Sequence, residues 1–232
     1  MQLKAMANKA LQPLIETALP TPASKTICAT GRILAAAEQL FSELGYDAVS
    51  TSVIAERAGV SKANIYHHFA SKHALYIAVL SNGCKASASK ALGEIEQNGS
   101  HVSECIRHFS DTHTNNLHDR ERVSRLILRE VIENQPGRGQ ELAEQVFGGN
   151  FCRLVEVLRD SQRRGELREG VDPAMLATLL IGANVFFFQS KDVLRHFPDV
   201  HFADDRNTYS RMLTDILLHG VLTNPKECDD QP

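Results

Sequence analysis

What the sequence lacks narrows the field first. Its five cysteines, Cys28, Cys84, Cys105, Cys152 and Cys228, are odd in number and scattered, with no CxxC pair. Neither a zinc finger nor a disulfide framework is written into such spacing. There is no GxSxG, no HExxH and no phosphate-cradling glycine loop, so the local signatures of hydrolases, metalloproteases and nucleotide-binding enzymes are missing. His108, His113 and His118 recur every fifth residue and spiral around a helix instead of sharing the i, i+4 face that zinc ligands favour. His67 and His68 are adjacent and point to different sides. No catalytic residue, metal or cofactor is therefore expected. No apolar run approaches membrane-spanning length, and 1–19 lacks a signal-peptide core. A cytoplasmic protein without membrane contact is the expectation. Strand-period alternation and internal repeats are also missing.

What is present suits a soluble helical protein. Of the 232 residues, 43% are hydrophobic and 23% charged, enough apolar surface for a sizeable core. The net charge of −3 makes the whole molecule no electrostatic sponge for nucleic acid. Its distribution is uneven, the N-terminal third mildly basic and the remainder acidic. That asymmetry fits one end that meets DNA and one that does not.

The informative stretch is STSVIAERAGVSKANIYHHFASK, residues 50–72. Ile54, Ala55 and Ala58 form an apolar stripe on a short helix. Gly59 follows where a helix end wants the left-handed conformation. Val60 plugs the corner, and Ser61 stands to N-cap a second helix. Ile65 and Phe69, four apart, turn that helix's inner face back onto the first. This spacing predicts a helix-turn-helix, whose second helix enters the DNA major groove. Its outer face then carries Lys62, Ala63, Tyr66 and His67, flanked by Asn64 and His68. These side chains suit phosphates, base edges and thymine methyls. Lys72 opens the next helix, where a cation and free N–H groups meet a phosphate. Ser50, Ser61 and Ser71 are N-cap candidates for three successive helices. Before them, Ile33, Ala37, Leu40, Phe41 and Leu44 form the stripe of a helix over 26–44, ended by Gly45.

Residues 31–75 resemble the DNA-binding domain of the TetR (tetracycline-repressor-like) family. The landmarks are Ile33-Leu34, Ala37, Leu40-Phe41, Gly45, Ile54-Ala55, Ala58-Gly59-Val60-Ser61, Ile65-Tyr66, Phe69, Ser71-Lys72 and Leu75. The resemblance implies an all-α protein of about nine helices. A three-helix DNA-binding domain spans 25–75, and a helical ligand-binding and dimerisation domain spans 76–223. Before them lies an arm, 1–24, whose Lys4 and Lys9, with Lys25 beyond it, are placed to touch DNA backbone. A tail, 224–232, follows. The DNA-facing set becomes Arg32, Ser50, Thr51, Ser61, Lys62, Ala63, Asn64, Tyr66, His67, His68 and Lys72.

Helical periodicity continues over 72–97, 101–117, 119–134, 139–165, 172–196 and 205–222. Pro136-Gly137 breaks it, and Asp172-Pro173 restarts it. The helix at 172–196 is unusually apolar, with Phe186, Phe187 and Phe188 covering more than half its circumference, so it must be buried on more than one side. The family pairs its last two long helices with those of a second copy. That implies a homodimer through Gly182, Phe186, Tyr209, Leu213 and Leu217. The family also keeps a cavity between its middle helices, for which Phe109, His113, Leu126, Glu130, Phe147, Phe151 and Phe187 are the lining candidates. Together these imply a repressor that binds a palindromic, double-stranded operator and is released by a small hydrophobic effector. Two other readings stay open on the same frame. One is a thiol-based redox sensor, which needs an exposed cysteine of low pKa. The other is a DNA-organising or partner-binding protein without an effector, which would have a filled core.

Overall fold

The computed structural model describes residues 29–98, 101–133 and 137–221, and side chains within them except at 86–98 and 221. The arm, Lys4, Lys9, Lys25, Cys28, Cys228 and the tail lie outside the described residues. Among those described the fold is all-helical, with nine helices and no strand. α1 (Ala29–Leu44), α2 (Thr51–Ala58), α3 (Lys62–His68) and α4 (Lys72–Asn98) come first. α5 (Val102–Asp119) and α6 (Glu121–Glu133) follow. α7 runs as Arg138–Leu142, a wide π turn at Ala143–Phe147, and Gly148–Arg163. α8 (Pro173–Leu194) and α9 (Arg206–Val221) close the chain.

Local chemistry explains the short helices. Helices this short are marginal alone, so caps and packing must hold them. Ser50 Oγ accepts from Val53 N at 3.3 Å, Ser61 Oγ from Asn64 N at 3.1 Å and Ser71 Oγ from Ala74 N at 3.0 Å. Each such cap contributes about 1 kcal/mol. Gly59 lies in the left-handed region at φ 63, ψ 42 and its N–H reaches back to close α2. Ile54 and Ile65 are fully buried between α1, α2 and α3. Asp172 Oδ1 caps α8, accepting from Ala174 N and Met175 N.

Two main cores follow. The first joins Ile33 and Phe41 to Ile54, Ile65 and Tyr76, and takes in Leu126 from α6 and Val146 from α7. The second packs Ile106 and Phe109 of α5 against α7, α8 and Leu218 of α9. A smaller one groups Leu117, Leu128 and Phe188. Between head and body sits a polar knot. The Tyr76 hydroxyl donates to Glu130 Oε1 at 2.6 Å, and Arg138 Nη1 donates to Glu130 Oε2 at 2.7 Å. Burial and the Glu130 carboxylate push the Tyr76 phenol well above its ordinary value.

The π turn has its own requirement. A Cβ at Gly148 would lie 2.6 Å from the Ala143 carbonyl oxygen. Only glycine fits there, because the widened turn points that carbonyl at it.

Three expectations change. Leu44 is 58% exposed. It sits in the last turn of α1, and the chain turns away at Gly45 before anything covers it. α8, with 22 residues and an 18-residue window of mean hydropathy 1.4, does reach membrane-spanning length and apolarity. Its Phe187, Phe188, Leu180 and Asn184 are nevertheless buried within the helical bundle, as in a core helix. Phe186 alone of the three phenylalanines faces outward, 67% exposed.

Gly59→Val should destabilise the head by roughly 1–2 kcal/mol, since a β-branched residue is disfavoured at positive φ. Chemical denaturation followed by helical signal measures it; an unchanged midpoint would remove Gly59 from the turn's energetics.

Candidate DNA-reading face and effector cavity

The outer face of α3 is built from the turn upward. With Ile65 buried and Phe69 half-buried beneath, Lys62, Ala63, Tyr66, His67 and His68 are exposed. Ser50 and Ser61 stand exposed beside them. Arg32 is exposed on α1, and its guanidinium lies 3.7 Å from where a Cβ at Gly59 would be. Arg32 and α3 therefore flank the same turn.

Three residues of the expected set sit differently. Thr51 is buried, its hydroxyl 3.2 Å from the Tyr66 hydroxyl, so it anchors that ring instead of projecting. Asn64 is half-buried, and its Oδ1 has no hydrogen-bond partner among the described residues. Lys72 opens α4 as expected, but its Nζ donates to the Asp47 carbonyl at 3.4 Å and rests 4.2 Å from the Tyr46 ring centre. A local acceptor and an aromatic face draw its charge inward. His68 Nδ1 lies 3.4 Å from Thr30 Oγ1, tying α3 to α1.

A cavity of about 390 Å³ lies between α4, α5, α6, α7 and α8. Phe109, His113, Phe147 and Phe151 line it, four of the seven expected residues. The other three are engaged elsewhere. Leu126 faces the first core. Glu130 is held in the Tyr76–Arg138 knot. Phe187 stacks on Tyr209, centroids 3.8 Å apart and 6° from parallel. The same stack leaves Tyr209 half-buried, and burial raises its phenol to about 12. Sequence reasoning missed Leu117, Ile127, Leu128, Asn150, Thr178 and Val185. Ile127 and Leu128 follow Leu126 directly, and helical phase alone could not say which faces the hollow.

His113 stacks on Phe109 at 5.4 Å. Burial lowers its pKa to about 4, so the ring is neutral at ordinary pH. Among the described residues, no lysine, arginine, aspartate or glutamate lines this cavity. Cys84, also on the wall, is pushed by burial up to about 12, and burial raises Cys105 as well. Neither has the low-pKa character of a redox sensor. Cys152 is exposed.

Met175, Leu179, Phe186 and Val193 form an exposed stripe along α8, and Met212 and Ile216 of α9 are exposed as well. Gly182 lies on the same helix, exposed and also at the cavity edge. Leu213 is half-buried. Leu217 is half-buried against the second core, whereas its neighbour Ile216 is 71% exposed. The outward phase of α9 thus differs by one residue from expectation.

Comparisons with known proteins bear on the head and on the whole. Residues 33–79 match the family profile described as bacterial regulatory proteins, tetR family. An uncharacterised HTH-type transcriptional regulator of Bacillus subtilis, YdeS, is 34% identical over 159 residues, covering 65% of this chain and 73% of that protein. The HTH-type transcriptional regulator UidR of Escherichia coli is 26% identical over 150 residues, covering 65% and 74%. Among solved structures, the Bacillus subtilis regulator FadR in complex with stearoyl-CoA superposes with a TM-score of 0.66 at 19% identity, over 82% of this chain and 97% of that one. At that identity the likeness speaks for the fold. Fold, reading head and relatives agree: the chain belongs to the TetR family and is a DNA-binding transcriptional regulator.

Proposed function

We propose that the protein is a ligand-responsive repressor that binds a palindromic operator as a homodimer and is released by a small, largely hydrophobic effector. The observation that carries this reading is the combination, in one chain, of an exposed polar face on α3 and an apolar hollow walled by the helices that carry α3. Residues 25–75 serve as the reading head, and 76–223 hold effector and partner. Lys62, Tyr66 and His67 face the major groove. Arg32, Ser50 and Ser61 lie along the phosphates. An apolar cavity of this size between the helices favours an effector-dependent regulator over one with a filled core, since side chains normally pack native interiors closely. The FadR structure shows that a protein of this fold holds stearoyl-CoA. An effector shifts operator release only if it binds the non-DNA conformation more tightly.

The homodimer rests on the α8–α9 stripe. Monomers rarely leave a contiguous apolar surface of this kind open, and two-fold pairing matches two reading helices to two half-sites.

Lys62→Ala should weaken operator binding and lower its salt dependence by roughly one ion. Tyr66→Ala should weaken it with fold and Tm retained. Gel shifts with DNA flanking the protein's own gene, run at several salt concentrations, test both; parent-like binding by both variants would discard the α3 face.

Ile216→Asp should split the dimer, because the contact would bury an unpaired carboxylate. Sedimentation should show a dimeric parent at micromolar concentration and a monomeric variant. A monomeric parent, or a variant that stays dimeric, would contradict the assigned surface.

A further inference from the structure

The cavity wall has one polar feature with a defined sense. Asn184 of α8 is fully buried. Its Oδ1 accepts from Ser110 Oγ at 3.2 Å, so its Nδ2 is the atom facing His113 Nδ1, also at 3.2 Å. An amide nitrogen there donates, which makes Nδ1 the acceptor and leaves the ring proton on Nε2. Nε2 has no hydrogen-bond partner among the described residues, while the ring lines the cavity. Two neighbouring polar side chains each donate to a backbone carbonyl. Thr178 Oγ1 donates to the Ala174 carbonyl at 2.8 Å, and Asn150 Nδ2 to the Cys84 carbonyl at 3.0 Å.

Resting on the reading that this cavity takes the effector, we infer that it selects a neutral, apolar, ring-bearing molecule whose single hydrogen-bond acceptor, a carbonyl or ether oxygen, meets His113 Nε2–H. Three observations set the class. The donor is directional and fixed through the Ser110–Asn184 relay. The lining carries no charged side chain among the described residues, so a carboxylate or ammonium would be desolvated there without a counter-ion. The ring of His113 does not supply that charge, because burial holds it neutral. Aromatic walls from Phe109, Phe147 and Phe151 suit a flat ring. Phe147, Phe151 and Val131 also border a second apolar pocket of about 270 Å³ beneath the π turn, which gives an alkyl substituent somewhere to run.

The test uses the full chain and three probes of matched shape: 4-butylacetophenone, 4-butylbenzoate and butylbenzene, titrated calorimetrically at pH 7.5. The ketone should bind about threefold to tenfold tighter than the hydrocarbon, the range a single net hydrogen bond supports. It should bind at least about tenfold tighter than the carboxylate. In His113→Leu the ketone should fall to the hydrocarbon's affinity, and His113→Gln, which restores an N–H donor, should recover most of the preference. A carboxylate that binds as well as the ketone overturns the inference. So does a ketone preference that survives His113→Leu, or a failure of all three probes to bind. Operator release by some other compound would, in that last case, leave the regulator reading standing while removing this ligand class.

Discussion

The buried carboxylate of Glu130 is the constraint on which the arrangement of the other parts depends. It is only 9% exposed, yet it accepts from the Tyr76 hydroxyl at 2.6 Å and the Arg138 guanidinium at 2.7 Å. A charge in that position is tolerable only when its partners are fixed. Here they come from two helices, α4 and α7, and tie both to its own α6. Arg138 also lies against the rings of Tyr46 and Tyr76 and 3.2 Å from His73 Nδ1, whose Nε2 is 2.7 Å from Glu141 Oε1. The junction between head and body is therefore a directional polar clasp, stiffer than apolar packing alone, because each group has few orientations that keep its bonds.

That clasp lies one helical turn or less from the cavity. On α6, Leu126 lies in the head's core, Ile127 packs against that core and also lines the hollow, and Val131 lines the hollow. On α7, within the π turn, Val146 lies in the same core and Phe147 both packs against it and lines the hollow. Two helices thus touch both the head's core and the cavity, Ile127 and Phe147 meeting both at once. A ligand that moves Phe147 or Val131 acts on residues whose immediate neighbours are packed against α1 and α4. The route in the proposed mechanism is short and made of contacts, and packed cores of this kind switch between arrangements instead of deforming smoothly.

The sequence displayed the head almost completely, because its determinants are local. Ser50, Ser61 and Ser71 cap within three residues, Gly59 needs only its own φ, and Ile54 and Ile65 follow helical phase. The body was less legible. Glu130 reads as a polar cavity residue until Tyr76 and Arg138, 54 residues before it and 8 after it in the chain, are seen to claim it. Phe187 looks like cavity wall until it is seen to stack on Tyr209. The one-residue difference between Leu217 and Ile216 is a rotation of α9 that only its contact with α5 decides. Leu44 repeats the lesson at small scale: its phase is right, but no neighbour covers the end of α1.

The central claim is that two copies of the α3 face read DNA related by a two-fold axis. Selection of the full chain's preferred sites from a pool of random duplexes tests it most directly. The account predicts an inverted repeat whose half-site centres lie about one helical turn, 10–10.5 base pairs, or a multiple of it apart. Recovery of an isolated half-site, of a direct repeat, or of no enriched sequence would contradict it.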